Sequence, residues 1–549
     1  MSEYKWLTKE SRSFLKRDYL LEGTSPEQRI EDIANLAGKI LNRADFAEKF
    51  IANMKKGWYS LSTPIWCNFG LSRGMGISCF NCICDDSIES ILDTNTEVGI
   101  MSKYGGGTSI YYGNVRPRGS DIKNNGKTSG SVHFMKLTEQ MVTTISQSNV
   151  RRGSCAVYLP IDHGDIDEFL DIKSEGHPIQ HLSYGVCIKD DWMQSMIDGD
   201  KSKRKIWAKV LKSRKNTGYP YLFFHDNANN NKPQVYKDLN MTIWSLQLCN
   251  EVSLPSSLDE SFVCNLSSMN ILKYDEWKDD PEAVEILVYL LDAVMTEFID
   301  KASKIKHFER AVKFAVRHRA IGVGWLGYHS YLQSKMIPFE SMKAKQVNIE
   351  IAKNIFTKAK QASQKMAKEY GEPELLKGYG ERHTTVCAIA PTKSSSFIAG
   401  GVSEGIEPYH SNYYIKDLQK GKFTVKNPYL EQLLEEKGKN TDEVWEDILK
   451  NSGSVQKLAF LNREEKNVFK TFSEISPMEI IIQASGRQKY IDQGQSVNLM
   501  IHPSIPTKDV NSLLIEAWKL GLKGLYYQIS VNAAQEFSKN ILSCEMCQS

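Results

Sequence analysis

The sequence has no long apolar run free of charge, no apolar leader and no marked excess of either charge. Its most apolar helical window, Val284 to Phe298, is interrupted by Glu285, Asp292 and Glu297. That window is too short and too charged to span a bilayer, so it reads as a buried helix, with Asp280-Pro281 as its cap and first-turn pair. The opening residues, Met1-Ser2-Glu3-Tyr4-Lys5-Trp6, lack the core of a secretion signal. Lysine plus arginine total 69 against 66 aspartate plus glutamate, a net charge of +3 over 549 residues. So even a balance gives no sign of a polyanion-binding face, and neither nucleic acid nor membrane is expected as a direct partner. Internal repeats and low-complexity stretches are also missing. What remains is an ordinary globular composition, 41% hydrophobic and 25% charged. The expected compartment is the cytoplasm, and the length suits three or four domains or one large α/β barrel with attachments.

Familiar nucleotide motifs are missing too. Gly126-Lys127-Thr128 would need a glycine five positions earlier to form a phosphate-binding loop, and Asp121 stands there. Gly105-Gly106-Gly107 lacks the spacing of a dinucleotide fingerprint and reads as a turn with close backbone approach. Eleven cysteines, an odd number, do not describe a disulfide framework in a reducing compartment. Cys67, Cys155, Cys187 and Cys387 are scattered and read as small buried hydrophobes. Cys79-x2-Cys82-x-Cys84 with Cys544-x2-Cys547 raises the question of zinc. The single residue between Cys82 and Cys84 is cramped for two ligands of one tetrahedron, and a large core needs no metal to fold. No metal ligand is assigned. A terminal Cys-x-x-Cys is better suited to thiol–disulfide exchange, which needs physical access to both donor and acceptor.

The elements begin with helices. Ser25-Pro26-Glu27-Gln28 offers a cap, a first-turn proline and a capping-box glutamine, followed by apolar residues at Ile30, Ile33, Leu36, Ala37, Ile40 and Leu41. Residues 1–57 are therefore expected to form a small helical cap. Beyond Trp58 come short apolar strands: Ala156–Leu159, Tyr221–Phe224, Thr385–Ala390, Val497–Ile501 and Gly524–Ile529. Alternating with helices, they predict a mainly parallel, helix-covered sheet. Residues 340–375 and 428–451 read as charged, solvated helices.

Three local patterns carry chemistry. In Ala388-Ile389-Ala390-Pro391-Thr392-Lys393-Ser394-Ser395-Ser396 a strand stops at proline and a hydroxyl-rich run opens a helix, a cradle for a diphosphate or merely a capped helix. Leu248-Cys249-Asn250-Glu251, if extended, turns thiol and carboxylate to one face, where Glu251 could act as a general base. The alternative is an edge strand with an incidental glutamate. Tyr526-Tyr527 is either core or a stacked pair of phenols able to relay an oxidising equivalent.

In this order these motifs, with Ser62-Thr63-Pro64, Ser78-Cys79, Cys264-Asn265-Leu266-Ser267 and Leu525-Tyr526-Tyr527-Gln528, resemble the large, catalytic subunit of class I ribonucleotide reductases. The resemblance runs from about Ser11 to the C-terminus. It implies a ten-stranded α/β barrel over residues 58–536, with a central finger loop and a specificity region at 84–155. A helical domain precedes the barrel and a redox tail follows at 537–549. Cys249 would become a thiyl radical and take the 3′ hydrogen of a ribonucleoside diphosphate. Glu251 would accept the 3′-hydroxyl proton. Cys79 and Cys264 would supply two electrons by forming a disulfide, and Cys544 and Cys547 would re-reduce it for regeneration by thioredoxin or glutaredoxin. Substrate would be held by Thr63, Ser78, Gly107, the loop Gln247-Leu248-Cys249-Asn250-Glu251, and Pro391, Thr392, Lys393, Ser394 and Ser395. Since radical chemistry needs a cofactor and none is visible, a separate small (beta) subunit with a metal centre would supply the oxidant, through Tyr526 and Tyr527. These tyrosines argue against a cobalamin-dependent relative. Asp86, Ser87, Ile88, Arg116 and Lys123 would hold a deoxynucleoside triphosphate or ATP at a homodimer interface, and the loop Ser146 to Gly153 would relay it.

Two departures stand out. The family carries asparagine where this chain has Gln247, so either the longer amide reaches the same substrate hydroxyl or Asn250 contributes. An N-terminal ATP-cone is not expected, and with it no cone-type inhibition by dATP; so compact a chain suits a viral genome acting in a host cytoplasm.

Overall fold

The computed structural model describes residues 3–77, 79–147, 151–418 and 421–530; the side chains of Asp18 and of residues 415–424 are not part of the description. The predicted helical cap is three helices: α1 (Lys9–Asp18), α2 (Pro26–Leu41) and α3 (Phe46–Lys56). Ser25 caps α2, its hydroxyl accepting from Gln28 N–H. The expected capping box is not completed, because the Gln28 amide donates forward to Asp32 at 3.0 Å. The buried face of α2 carries Ile30, Ile33, Ala34, Ala37 and Leu41, a helical spacing.

Two short elements follow, β1 (Tyr59–Leu61) and α4 (Thr63–Asn68). A parallel ladder then runs β2 (Cys79–Ile83), β3 (Gly107–Tyr111), β4 (Ser154–Pro160), β5 (Ser183–Ile188) and β6 (Tyr221–Phe224). Between them α5 (Ile88–Lys103) and α6 (Ser131–Thr144) pack together outside. A second parallel group starts with β7 (Phe262–Asn270) and β8 (Ile321–Leu326). Bridges carry it from Val323 to Cys387, from Ile389 to Gln495, and from Leu499 and Met500 to Gln528 and Ile529. The groups join antiparallel at both seams, β2 with β7 and Gly524–Leu525 with β6. Ten strand segments thus close a ring, as the family resemblance implied.

The regular strands match the sequence reading closely, but the late ones are shorter. Thr385–Ala390 is paired only at Cys387 and Ile389, and Val497–Ile501 only at Leu499–Met500. The apolar helix covers Ala283–Ala302 with Glu282 as its cap, not Asp280. Asp280 instead accepts from Glu282 N–H at 2.8 Å in a turn before the helix. This helix packs between the cap and the barrel, which is why nearly every face is buried. Residues 430–469 enclose a small separate core around Trp445. Among the described residues no helix is long and apolar enough to cross a membrane, and the nine described cysteines are free thiols.

Candidate active site

Residues 239–261, between a short helix (Gln234–Asp238) and β7, form a loop that enters the barrel. At its tip Asn250 has φ +72°, a left-handed conformation that asparagine tolerates. Gln247 N–H donates to Val252 O at 3.1 Å and Asn250 N–H to Gln247 O at 2.9 Å, closing a tight turn. The extended segment anticipated at 248–251 is therefore not formed. Cys249 and Glu251 reach one cavity because the turn projects them there, not because strand residues alternate.

The barrel wall clamps this turn with side chains. Asn81 on β2 donates to Ser245 Oγ at 3.0 Å and accepts from Ser256 Oγ at 2.9 Å, holding both limbs of the loop. Ser496 donates to Cys249 O. Gly494 N–H donates to Glu251 O at 2.7 Å. A Cβ at position 494 would lie 3.0 Å from the carbonyl oxygens of both Asn250 and Glu251, so any side chain there must push the turn back by a few tenths of an ångström.

The cavity is lined by Cys79, Gly107, Gln247, Leu248, Cys249 and Glu251, together with Thr63, Pro391, Thr392, Ser395, Arg151 and Asn265. Thr63 Oγ1 is 3.1 Å from the buried hydroxyl of Tyr19, which ties the helical cap to the site. Gln247 Oε1 accepts from Cys249 N–H at 2.8 Å, so this amide braces the turn while facing the cavity. Asn250 is 1% exposed and does not line the cavity. Its amide points instead toward Gly524, which speaks against Asn250 replacing the family asparagine.

The hydroxyl-rich run opens a helix, Lys393–Ile398, after Thr392. Thr392 Oγ1 accepts from Gly405 N–H, and Ser60 Oγ donates to Ser395 O, so the run is anchored to two other segments. Ser394 is buried and Lys393 exposed, and neither lines the cavity. Ser78 lies outside the described residues, as do Cys544 and Cys547.

Cys79 and Cys264 are direct cross-strand partners at the β2–β7 seam. Opposed residues of an antiparallel pair sit roughly 4.5–5.5 Å apart at Cα, within the reach of a disulfide. Cys79 borders the cavity, whereas Cys264 is fully buried behind it, accepting from Gln493 Nε2 at 3.2 Å. Burial pushes the Cys264 thiol well above its ordinary pKa, against the pull of that amide, so it is held protonated. Tyr158 donates to Gln247 O at 3.3 Å, and burial raises its pKa likewise.

Tyr526 and Tyr527 interrupt the expected strand 524–529. Tyr526 N–H still bonds Val497 O, but Tyr527 N–H turns to the Asn498 side chain at 3.0 Å. Their rings stand 4.2 Å apart. Tyr526 is 2% exposed and Tyr527 is half-buried, so the pair leads from surface to interior. Tyr221 packs on both, at 4.7 and 5.2 Å.

Away from the cavity, the Arg116 guanidinium bonds Asp86 at 2.6 Å, and Arg116 N–H bonds it again at 3.1 Å, beside Ser87, the N-cap of α5. Lys123 is exposed on a small turn pinned by Asp121 and Lys127. Ile88 and Leu92 of α5 and Leu137 of α6 leave an apolar strip about half exposed.

Sequence reasoning missed Asn81, Gln493, Gly494 and Ser496, whose roles arise from contacts between segments far apart in the chain. A glycine between two glutamines just after an aspartate was the one faint signal, at Asp492-Gln493-Gly494-Gln495.

Comparison with known proteins agrees with this geometry. The model of the ribonucleotide reductase barrel domain matches residues 77–203, 198–379 and 373–528, and that of the ribonucleotide reductase all-alpha domain matches 5–74. The putative ribonucleoside-diphosphate reductase large subunit of Frog virus 3 is 35% identical, covering 90% of this chain and 91% of its own length. The large subunit of Invertebrate iridescent virus 3 is 31% identical over 93% of this chain and 92% of its own. Among solved structures, the class Id ribonucleotide reductase alpha subunit of Actinobacillus ureae superposes with a TM-score of 0.92 at 54% identity, covering 98% of this chain and 99% of that one.

Proposed function

Because this chain belongs to the large-subunit family of ribonucleotide reductases, reduces ribonucleotides to deoxyribonucleotides and depends on a small subunit, we propose how its own residues carry the reaction. Cys249 gives an electron and its thiol proton to Tyr526 and becomes a thiyl, Tyr526 having passed its own to Tyr527, whose electron would leave for an oxidant held by the small subunit and whose proton would go to solvent. The thiyl takes the 3′ hydrogen atom of a ribonucleoside diphosphate, and Glu251 takes the 3′-hydroxyl proton. The 2′ hydroxyl leaves as water with a proton from the Cys79–Cys264 pair. That pair gives two electrons and two protons in all, the second proton going to C2′, and becomes a disulfide; Glu251 gives the 3′-hydroxyl proton back and Cys249 returns the 3′ hydrogen. Diphosphate, two thiols and no further reductant give deoxynucleotide, water and one disulfide, so the step balances. Cys544 and Cys547 then exchange with that disulfide and are renewed by a thioredoxin- or glutaredoxin-like dithiol.

One observation carries the reading: Cys249, Glu251 and Cys79 converge on a single cavity, with Cys264 directly opposite Cys79. Thr63, Thr392 and Ser395, which line the same cavity, carry hydroxyls that suit a diphosphate. Asp86 and Arg116 at the start of α5, beside the apolar strip of α5 and α6, support an effector site at a homodimer interface; the effector is a deoxynucleoside triphosphate or ATP. Free thiols among the described cysteines support a reducing cytoplasmic setting. The test is reduction of CDP with the cognate small subunit. Cys249→Ser is expected to lower turnover by at least about a thousandfold while still binding CDP, the pattern for loss of a group that acts as one unit with others. Undiminished turnover would reject the assignment.

A further inference from the structure

The relay reading uses two tyrosines, yet five crowd this corner. Tyr219, immediately before β6 and 2% exposed, places its hydroxyl 3.0 Å from that of Tyr527. The same hydroxyl is 3.2 Å from Ser183 Oγ on β5. Its ring stacks on Tyr184 at 5.4 Å and lies 5.0 Å from Tyr221. The Lys173 ammonium sits 4.9 Å from the ring centroid, fixed by a 2.7 Å bond to Gln180 O. Tyr219 is therefore held by its ring and by its hydroxyl, and that hydroxyl meets the relay pair at Tyr527.

Resting on the relay reading above, we propose that Tyr219 is a positioning residue for Tyr527: its hydroxyl hydrogen-bonds the Tyr527 oxygen and fixes that phenol for transfer to Tyr526. When Tyr527 is oxidised, its electron goes to the partner's one-electron oxidant and its proton to solvent, which the half-buried ring can reach. The resulting phenoxyl oxygen is an acceptor only, so the hydroxyl of Tyr219 becomes the donor. Tyr527 then regains one electron and one proton from Tyr526, its phenol is restored and Tyr526 carries the radical. Tyr219 itself is neither oxidised nor reduced. Ser183 turns its hydroxyl to suit, since a serine hydroxyl both donates and accepts.

The experiment uses the full chain assembled with its small subunit. In Tyr526→Phe onward transfer is blocked, and a radical is expected to collect on Tyr527. Electron–nuclear double resonance in D2O should show a strongly coupled exchangeable deuteron on that radical, absent when Tyr219→Phe is added. In the otherwise unaltered chain, Tyr219→Phe should lower kcat roughly three- to tenfold with the KM for CDP unchanged, the scale of one hydrogen bond. Should Tyr219→Phe not fold, 3-fluorotyrosine at position 219 keeps the ring and makes the hydroxyl a stronger donor, and the coupling must grow. A radical on Tyr527 whose deuteron coupling ignores both changes would overturn the role of Tyr219 and leave the relay intact. No radical on Tyr527 in Tyr526→Phe would overturn the relay, and the role of Tyr219 with it.

Discussion

The two halves of the barrel are built differently. From β2 to β6 the wall is a continuous parallel ladder of four- to seven-residue strands. Beyond β8 it is held by isolated bridges and two-residue strands, with side chains doing work that backbone groups do elsewhere. Asp492 accepts from Val386 N–H at 2.9 Å and Cys387 N–H at 2.8 Å, and Asn498 accepts from Tyr527 N–H. Gln493 bonds Ile321 O, Thr385 Oγ1 and the Cys264 sulfur at once. Burial pushes the Asp492 carboxyl up, so two donated N–H groups and nearby lysines hold an ion the interior disfavours. The irregular half also holds the three segments the proposed chemistry draws on: the run after Pro391, the close approach at Gly494, and the tyrosine pair, where Tyr527 N–H is diverted to Asn498. The regular half is frame over most of its length and meets the cavity at its first strands, through Cys79 and Gly107.

That contrast can be broken or sharpened by substitution. The largest effect is expected from Gly494→Ala. Its Cβ meets two carbonyl oxygens of the finger turn at 3.0 Å, which a retreat of a few tenths of an ångström relieves; since about 1 Å of misplacement costs about a hundredfold, the expected loss in kcat is about tenfold. CDP reduction under saturating substrate measures it, and a loss of less than about threefold would mean that the turn is not braced there. In the regular half, Val157→Ala on β4, fully buried, should cost about 2 kcal/mol in urea unfolding yet leave kcat unchanged. A matching fall in kcat would erase the distinction between frame and working wall. Ser496→Ala removes the bond to Cys249 O and should lower kcat roughly three- to tenfold, with little change in Tm.

The smallest effect concerns Glu260, at the exit of the finger loop. Burial alone would raise its pKa, but a bond from His318 and the charge of Arg317 bring it down to about 2. With the folded pKa below the ordinary value of 4.5, its stabilisation is whole above pH 4.5 and drains as pH falls toward about 2. Glu260→Gln should lose about 1 kcal/mol near neutrality, and the difference from the parent should shrink in acid unfolding below pH 4.5. A difference that stays constant with pH would remove the ion pair from the account.

The legibility of the sequence divides along the same line. β6 at Tyr221–Phe224 was readable to the residue because it is a continuous apolar run in a sheet buried on both faces. Segments 385–390 and 497–501 carry the same apolar signal, but Val386 and Cys387 N–H are diverted to Asp492 and Tyr527 N–H to Asn498, which no local pattern announces. Cys249 and Glu251 were found by residue type and spacing, and the reason offered for their shared direction, an extended segment, was replaced by a turn with Asn250 left-handed. The pairing of Cys79 with Cys264 came only through family resemblance, since 184 positions of chain separate them and strand register alone brings them opposite. Asn81 was not legible at all, because an asparagine inside an apolar strand looks like a defect until the loop it clamps is in place.

The central claim is that the two thiols facing each other across the β2–β7 seam are the immediate source of electrons. Single-turnover reduction of CDP with the small subunit, without external dithiol and with Cys544 and Cys547 both changed to serine, tests it by mapping disulfides in the quenched protein. The account predicts one deoxycytidine diphosphate per competent site and a matching amount of Cys79–Cys264 disulfide. Product formed while Cys79 and Cys264 remain free thiols, or with a disulfide between other positions, would contradict it.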